Sequence, residues 1–492
     1  MTFKKTTRAG LLALALGVLF TLFLSMSAID RTYAEEAAAP AAAADAAPPA
    51  CAGNADPKLA VLEKCTPNAG DTAWMMTSVA LVLMMTIPGL GLFYGGMVRK
   101  KNVGDTIMTS FAVTCLVSIL WLICTYSLAF RAGTPFIGGL DRAFLQGIVS
   151  DIAKGIGNPN PLAPTIPETV YICFQLTFAI ITPALIAGAF AERMKFSSML
   201  WFIGLWAIFV YAPVAHWVWG PDGFLAAGNS DGWIKVLDFA GGTVVHMSAG
   251  FAALAGAMVL GRRTTHKNGE PTTPANIPFV ILGTGMLWFG WFGFNAGSAL
   301  SASGQAAMAF ATTNTASASA ALAWIFFDRM RGQKPSALGA CVGAVVGLVA
   351  ITPAAGYVGI GEAIFIGTIA SVVSNLMVHW KNASTLDDTL DVFPCHGVGG
   401  MVGMLMTGVF AKDVGLTSGH AATFLVHCGA LIFVAAFSFG GSWVLYKFTD
   451  FIIPLRVSEE QEEIGLDLSQ HGEVMHDMAV AAPDRQVFAK TA

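Results

Sequence analysis

The chain has 492 residues, of which 55% are hydrophobic and only 12% are charged, and its formal net charge is −4 at pH 7. Soluble domains carry about 25% charged residues, so this composition excludes an ordinary soluble protein, and the small net charge gives no sign of a nucleic-acid partner. Apolar runs long enough to cross a bilayer recur along the chain without strict alternation, which predicts helices and not a β-barrel. The expected fold is an all-α polytopic membrane protein.

The chain begins with a pattern typical of a secretory signal peptide over residues 1–34. A basic start precedes an apolar run, and small residues close it. An uncleaved first span is the alternative. Residues 35–71 form an Ala/Pro-rich extension that we place in the periplasm. If the signal operates, Cys51 and Cys65 face an oxidising compartment there and could pair.

Eleven predicted spans of about 20 residues or more follow between residues 72 and 450. Their predicted starts are Thr72, Asp105, Pro167, Ser197, Phe239, Asn276, Gln305, Pro335, Gly359, Val392 and His420. The loops on one side hold twelve Lys and Arg residues and those on the other side hold five, so the positive-inside rule places the richer side in the cytoplasm. The N-terminus is then outside, and residues 451–492 form a cytoplasmic tail.

Two histidines lie inside predicted spans, His246 in the fifth and His396 in the tenth. If residues 72–261 and 276–411 are inverted five-helix repeats, followed by a long final helix at 420–450, each histidine belongs to the last helix of its repeat. Transporter sites commonly lie where such repeats meet, and paired ionisable groups inside a membrane favour a function. At 1.5 Å per residue the two rings are separated by a gap on the order of 10 Å in depth, which permits contact without establishing it.

Other polar residues near the spans have structural interpretations. Asp238 and Asp391 lie at an outer and an inner helix start, where a carboxylate can cap free backbone N–H groups. His420 and His427 lie seven residues apart in the last span. We predict that both pack or face the interface, with a cavity-lining role for His427 as the alternative.

Several stretches, taken together, resemble ammonium transporters of the Amt type, which are related to Rh proteins. In chain order they are IPGLGLFYGGMVRKKN (87–102), FAERMKFS (190–197), HWVWG (216–220), LDFAGGTVVH (237–246), GWFGFNAGS (290–298), GLVAITPAAGYVG (347–359), DVFPCHGVGG (391–400) and LRVSEEQEEIGLDLSQHGE (455–473). The resemblance implies eleven helices, an external N-terminus and inverted repeats, in agreement with the span count.

The resemblance also implies roles for individual residues and partners. The residues it assigns to an outer ammonium-recruitment site are Phe174, Phe178, Trp219 and Ser298. It assigns a stacked gate to Phe178 and Phe294. Its pore-lining residues are His246, His396 and Trp291, with Asp238 as a structural acid. It further implies a homotrimer, a regulatory tail after residue 450, and a PII-type signalling protein that binds at the cytoplasmic face.

The predicted function is transport of ammonium across a bacterial cytoplasmic (inner) membrane. Ammonium would bind to aromatic faces outside, lose its proton near the gate and cross as ammonia, with the proton following through the histidines. The alternatives are an ammonium sensor, an Rh-like neutral gas channel, which would usually lack Trp219, and a membrane metal hydrolase. The hydrolase would need a motif such as H-E-x-x-H and a third ligand at depth, so we predict no enzyme activity, no metal and no cofactor.

Overall fold

The computed structural model describes residues 67–474 except 149, 152–155, 158, 230 and 233. The predicted signal peptide, nearly all of the Ala/Pro-rich extension, Cys51 and Cys65 lie outside the described residues, as does the end of the tail.

Eleven long helices, numbered α1 to α11, build the described part of the chain. They are α1 (Ala69–Met97), α2 (Lys100–Phe130), α3 (Glu168–Phe190), α4 (Phe196–Trp219), α5 (Gly242–Leu260), α6 (Ile277–Gly297), α7 (Gly304–Met330), α8 (Ala337–Ile351), α9 (Ile360–Ala383), α10 (Phe393–Phe410) and α11 (Ala421–Ile452). Within the described residues, nine of them are long and apolar enough to cross a membrane. The prediction of an all-α multi-pass membrane protein is confirmed, whereas eleven crossings and an external N-terminus stay predictions.

The two remaining helices depart from a typical apolar span in different ways. Helix α7 has 27 residues and is rich in Ala, Ser and Thr, and α8 is apolar but has only 15 residues. Each packs more extensively on the other than on any third helix. Except for α2, whose first turn begins five residues early, every helix starts within three residues of its predicted position.

Side-chain caps explain why several helices start where they do. The side chains of Asn68, Asn276, Ser303 and Ser336 each accept a hydrogen bond from a backbone N–H in the first turn of the helix that follows. Such caps satisfy N–H groups that have no partner within the helix.

Short strands and helices complete the described part. Three antiparallel hairpins lie between α2 and α3: β1 (Gly133–Thr134) with β2 (Ile137–Gly138), β3 (Ser150–Asp151) with β4 (Ile156–Gly157), and β5 (Pro159–Asn160) with β6 (Ala163–Pro167). A single turn, Thr264–Lys267, follows α5. The tail forms α12 (Glu459–Ile464) and α13 (Leu466–His471), and Asp467 accepts a hydrogen bond from the backbone N–H of Asp105 over 2.8 Å. The described tail is therefore packed against the membrane domain.

Helices α5 and α10 share a local structure that positions the two predicted pore histidines. Both begin with a π-helical segment, Gly242–Met247 in α5 and Phe393–Val398 in α10, and each segment contains one of the two predicted pore histidines. The helices cross where Gly250 meets Gly397, so closely that a β-carbon on Gly250 would collide with the Gly397 backbone. Small residues allow membrane helices this approach. The crossing lies within one turn of each histidine and brings the two imidazoles together.

This crossing gives a testable prediction. Replacing Gly250 with Ala should force α5 and α10 apart, because the backbone of Gly397 cannot yield as a flexible side chain can. Overpacking of this kind typically costs about 1–3 kcal/mol. We expect a lower midpoint of thermal unfolding in detergent for Gly250→Ala. Gly285→Ala in α6 is the matched control, since no atom lies within 4 Å of the added carbon there; equal loss in both variants would contradict the argument.

Candidate functional site

The two buried histidines meet directly. Nδ1 of His246 lies 3.3 Å from Nδ1 of His396, and the ring centroids are 5.4 Å apart. Both side chains are almost fully buried. A hydrogen bond between two Nδ1 atoms requires one ring to donate and the other to accept. The contact that the sequence only permitted is therefore present, and its geometry allows one hydrogen bond between the two rings.

A small void adjoins this pair. It has a volume of about 10 Å³, close to the size of one water molecule. Apart from the two histidines its walls are apolar and include Trp291 and Phe294. The His246 ring lies against the Trp291 ring with a centroid distance of 5.5 Å, and the indole N–H of Trp291 donates to Thr352 over 2.9 Å. Among the described residues that line this void, no side chain other than the two imidazoles and the Trp291 indole carries a polar atom.

A larger cavity of about 280 Å³ lies on the other side of two closely packed phenylalanines, Phe178 and Phe294. Phe178 lines the larger cavity and Phe294 lines the small void. Their ring centroids are 4.2 Å apart with an angle of 32° between the planes, and both side chains are buried. The two rings therefore separate the cavity from the histidines. They lie at the position that the predicted gate requires.

This larger cavity, named the outer cavity from the predicted orientation, brings together most of the residues predicted for recruitment. Trp219 and Ser298 line it beside Phe178, and the Trp219 ring meets the Phe178 ring edge-on at 5.8 Å. The Ser298 hydroxyl donates to the Phe294 carbonyl over 2.9 Å, which leaves its oxygen lone pairs for another donor. Phe174 is buried behind Phe178, with a centroid distance of 5.0 Å, and does not line the cavity.

Asp238 caps the π-helical start of α5. Its carboxylate accepts the backbone N–H groups of Gly241, Gly242 and Thr243 over 2.6–2.8 Å, and it also accepts the Thr243 hydroxyl. Its own carbonyl accepts the indole N–H of Trp219 over 2.9 Å. This residue thus joins the first turn before His246 to the aromatic wall of the outer cavity.

The expectation that Asp391 caps the inner helix start is wrong. The carboxylate that accepts the first N–H of α10, that of Phe393, belongs to Asp388 and lies 2.7 Å away. Asp391 instead pairs with Lys381 over 2.7 Å. Burial raises the pKa of Asp388 to about 6. A signal for this residue was present in the sequence, because Asp388 precedes His396 by eight residues, as Asp238 precedes His246.

His427 has a structural explanation. Its Nδ1 lies 2.8 Å from the Met404 carbonyl, and its Nε2 accepts the backbone N–H of Leu237 over 3.1 Å. These contacts tie α11 to α10 and to the segment that precedes α5, in line with the predicted packing role. Across the described ranges, no group of three or more His, Cys, Asp or Glu side chains is arranged to hold a metal ion.

Comparison with known proteins agrees with this arrangement. Residues 73–476 match the model of the Ammonium Transporter Family. The ammonium transporter of Bacillus subtilis is 45% identical over 412 residues, covering 82% of this chain and 98% of that protein. The crystal structure of Candida albicans Mep2 is 35% identical with a TM-score of 0.74, covering 80% of this chain and 88% of that one. A structure described as a sensor Amt protein is 26% identical with a TM-score of 0.72, covering 82% and 98%.

The family match extends over the whole membrane domain and the described tail, and the relatives named here are matched over nearly their full length. The alternative of a membrane hydrolase is excluded, because this is a family of transporters and not of enzymes. The chain belongs to the Ammonium Transporter Family.

Proposed function

We propose that this protein recruits ammonium in the outer cavity, removes its proton at the phenylalanine pair, and conducts ammonia past His246 and His396 while the histidines relay the proton. The single observation that carries the proposal is the order of the parts: an aromatic cavity, two closely packed phenylalanine rings, then an apolar void that ends at a hydrogen-bonded pair of imidazoles.

The chemistry of the outer cavity suits a small cation. The π face of Trp219, with the ring of Phe178 beside it, attracts a cation by about 0.5–2 kcal/mol, depending on how far water is excluded. The Ser298 oxygen can accept an N–H of ammonium. Both groups are uncharged. They can therefore replace part of the hydration shell of ammonium without holding the ion as tightly as an opposite charge would. Trp219 in the cavity wall also favours recruitment of the cation over a neutral gas channel.

The apolar void beyond the rings favours loss of the charge. A bare cation in the middle of a membrane costs at least about 2.5–3.5 kcal/mol on the lowest scales. The described residues that line it include no carboxylate to replace the hydration shell. Neutral ammonia avoids most of this cost, and it is about the size of the space that the void provides. We therefore place deprotonation before the histidines.

The histidine pair has the arrangement of a proton relay. Two positively charged rings at 3.3 Å would repel strongly, so the pair is taken as neutral. The ring that donates at Nδ1 then has a free lone pair at Nε2, and the other ring carries its proton at Nε2. A proton accepted at one Nε2 and released at the other passes through the shared Nδ1 contact. His246 Nε2 is buried and has no partner among the described residues, so it is available to accept.

For the setting of the protein, we propose an external N-terminus, a bacterial inner membrane and a homotrimer. We also propose a regulatory role for the packed tail and a PII-type signalling protein at the cytoplasmic face. These proposals rest on the distribution of Lys and Arg, the signal-like first residues and membership of the family.

The recruitment step can be tested by ammonium-evoked currents in proteoliposomes on a solid-supported membrane. Trp219→Leu should raise the ammonium concentration for half-maximal current, KM, roughly two- to thirtyfold, because a cation–π contact is lost. Trp201→Leu is the matched control, since Trp201 is 54% exposed on the outer surface of α4. An unchanged KM in Trp219→Leu would exclude recruitment by this ring, and a wild-type protein without any ammonium-evoked current would exclude electrogenic transport.

A further inference from the structure

We propose that Gln175 is a ligand of ammonium in the outer cavity, and that its side-chain oxygen contributes an acceptor which the aromatic rings and Ser298 do not supply. This inference rests on the recruitment role proposed above. Gln175 lies in α3, one residue after Phe174 and three before Phe178, and its side chain lines the same cavity as Trp219 and Ser298.

The need for another acceptor follows from the chemistry of the ion. Ammonium has four N–H donors, and each one that leaves water needs a replacement partner. The carboxylate of Asp238 is occupied, because it accepts four backbone N–H groups and the Thr243 hydroxyl. The indole N–H of Trp219 is a donor and is bonded to the Asp238 carbonyl. Neutral side-chain oxygens are thus the acceptors that the ion can use.

The side chain of Gln175 carries such an oxygen, and this oxygen is both buried and unpaired within the described part of the chain. The residue is only 7% exposed, and its Oε1 atom is buried without a hydrogen-bond partner among the described residues. Tyr171, one helical turn earlier, also lines the cavity. Leaving a buried acceptor unpaired is unfavourable. A buried, unpaired acceptor on a residue of the cavity wall is explained if an N–H group of a bound ammonium ion donates to it.

A second glutamine in the same cavity provides a contrast. Gln305 also lines the cavity, but it is exposed, and its side-chain nitrogen donates to the Gly356 carbonyl over 3.3 Å. It has the same chemical groups as Gln175 without a buried, unpaired oxygen. The two positions therefore separate the effect of a fixed acceptor from the effect of any polar group near the entrance.

The test is the dependence of the current on ammonium chloride concentration for wild type, Gln175→Leu, Gln175→Glu and Gln305→Leu in proteoliposomes. Gln175→Leu should raise KM about tenfold or more, the loss expected for one hydrogen bond to a charged group, with a maximal current near that of wild type. Gln175→Glu should lower KM, because a carboxylate accepts from a cation more strongly. Gln305→Leu should leave KM near the wild-type value.

The outcomes separate this inference from the proposed function. Wild-type KM in a Gln175→Leu protein that melts like wild type would overturn the role of Gln175 and leave transport intact. If Gln175→Leu does not fold, an unchanged or higher KM in folded Gln175→Glu would overturn it instead. A wild-type protein that gives no ammonium-evoked current and takes up no ammonia would remove the proposed function as well.

Discussion

Replacing His246 with Leu is expected to abolish the ammonium-evoked current, and His396→Leu is expected to do the same. Leucine fills much of the space of imidazole but can neither accept nor donate a proton. The Nδ1–Nδ1 contact of 3.3 Å would be lost in either variant, so the relay would be broken at its centre. A positioned proton-transfer group typically contributes roughly a hundredfold or more to a rate. The current should therefore fall by about that factor, measured at saturating ammonium.

The control for this experiment is His420→Leu. His420 is exposed directly before α11 and lines neither the outer cavity nor the void beside the histidines. Melting curves of all three variants should show that the proteins fold. Ammonium-evoked currents of wild-type size in either pore variant would rule out the relay, whereas lost current with preserved uptake of labelled methylamine would support a separate path for the neutral base.

The second large effect is expected at the end of the membrane domain where the tail packs, and where removal of Glu192 should destabilise the fold. Glu192 is 1% exposed and bridges two arginines: its carboxylate accepts from Arg99 and from Arg263 over 2.8 Å each. Arg263 in turn binds Asp387 over 2.9 Å. Removing one partner from a buried ion pair costs about 3–5 kcal/mol, because a charge is left unpaired. We expect Glu192→Ala to lower the free energy of unfolding by that amount.

The matched control is Glu459→Ala. Glu459 pairs with Lys267 over 3.4 Å, but both side chains are well exposed, and such surface pairs contribute only about 0–1 kcal/mol. The two variants thus remove the same group from a buried and an exposed pair. Equal unfolding midpoints for Glu192→Ala and wild type, measured by thermal unfolding in detergent, would contradict a stabilising role for the buried network.

The same network also predicts how the stability of the fold depends on pH. Burial alone would raise the pKa of Glu192, but Arg263 and Arg99 outweigh it and hold the pKa below the usual value of 4.5. Because the folded pKa is lower than the unfolded one, the stabilisation is fully present above 4.5 and is lost as the pH falls through the folded value. The difference in stability between wild type and Glu192→Ala should therefore be constant near neutral pH and shrink only in acid.

Sequence patterns predicted the fold and much of the candidate site for identifiable reasons. Apolar runs fix where membrane helices lie, since each span must satisfy its own backbone. His246 and His396 stood out because ionisable groups are expensive inside a membrane. Their contact could not be deduced from depth, because it depends on how closely α5 and α10 cross at Gly250. That crossing is a property of two helices packed together and not of either sequence alone.

Other features were missed because their meaning depends on packing. Gln175 looks like any polar residue in an apolar run until its oxygen is found buried beside the cavity. Glu192 lies in a recognisable motif, yet its partners come from segments far apart in the chain. Asp388 has a readable signal in its eight-residue spacing to His396, but a cap is expected directly before a helix, which favours the nearer Asp391 from sequence alone.

The central claim, that an N–H bond of ammonium breaks before the pore is crossed, is tested most directly by one measurement. Ammonium-evoked currents of the wild-type protein should be recorded in D₂O and in H₂O that has been brought to the same viscosity with glycerol. We predict that the current is clearly smaller in D₂O, because protons move during transport and deuterons transfer more slowly. Equal currents in the two solvents would contradict the account and indicate passage of the intact cation.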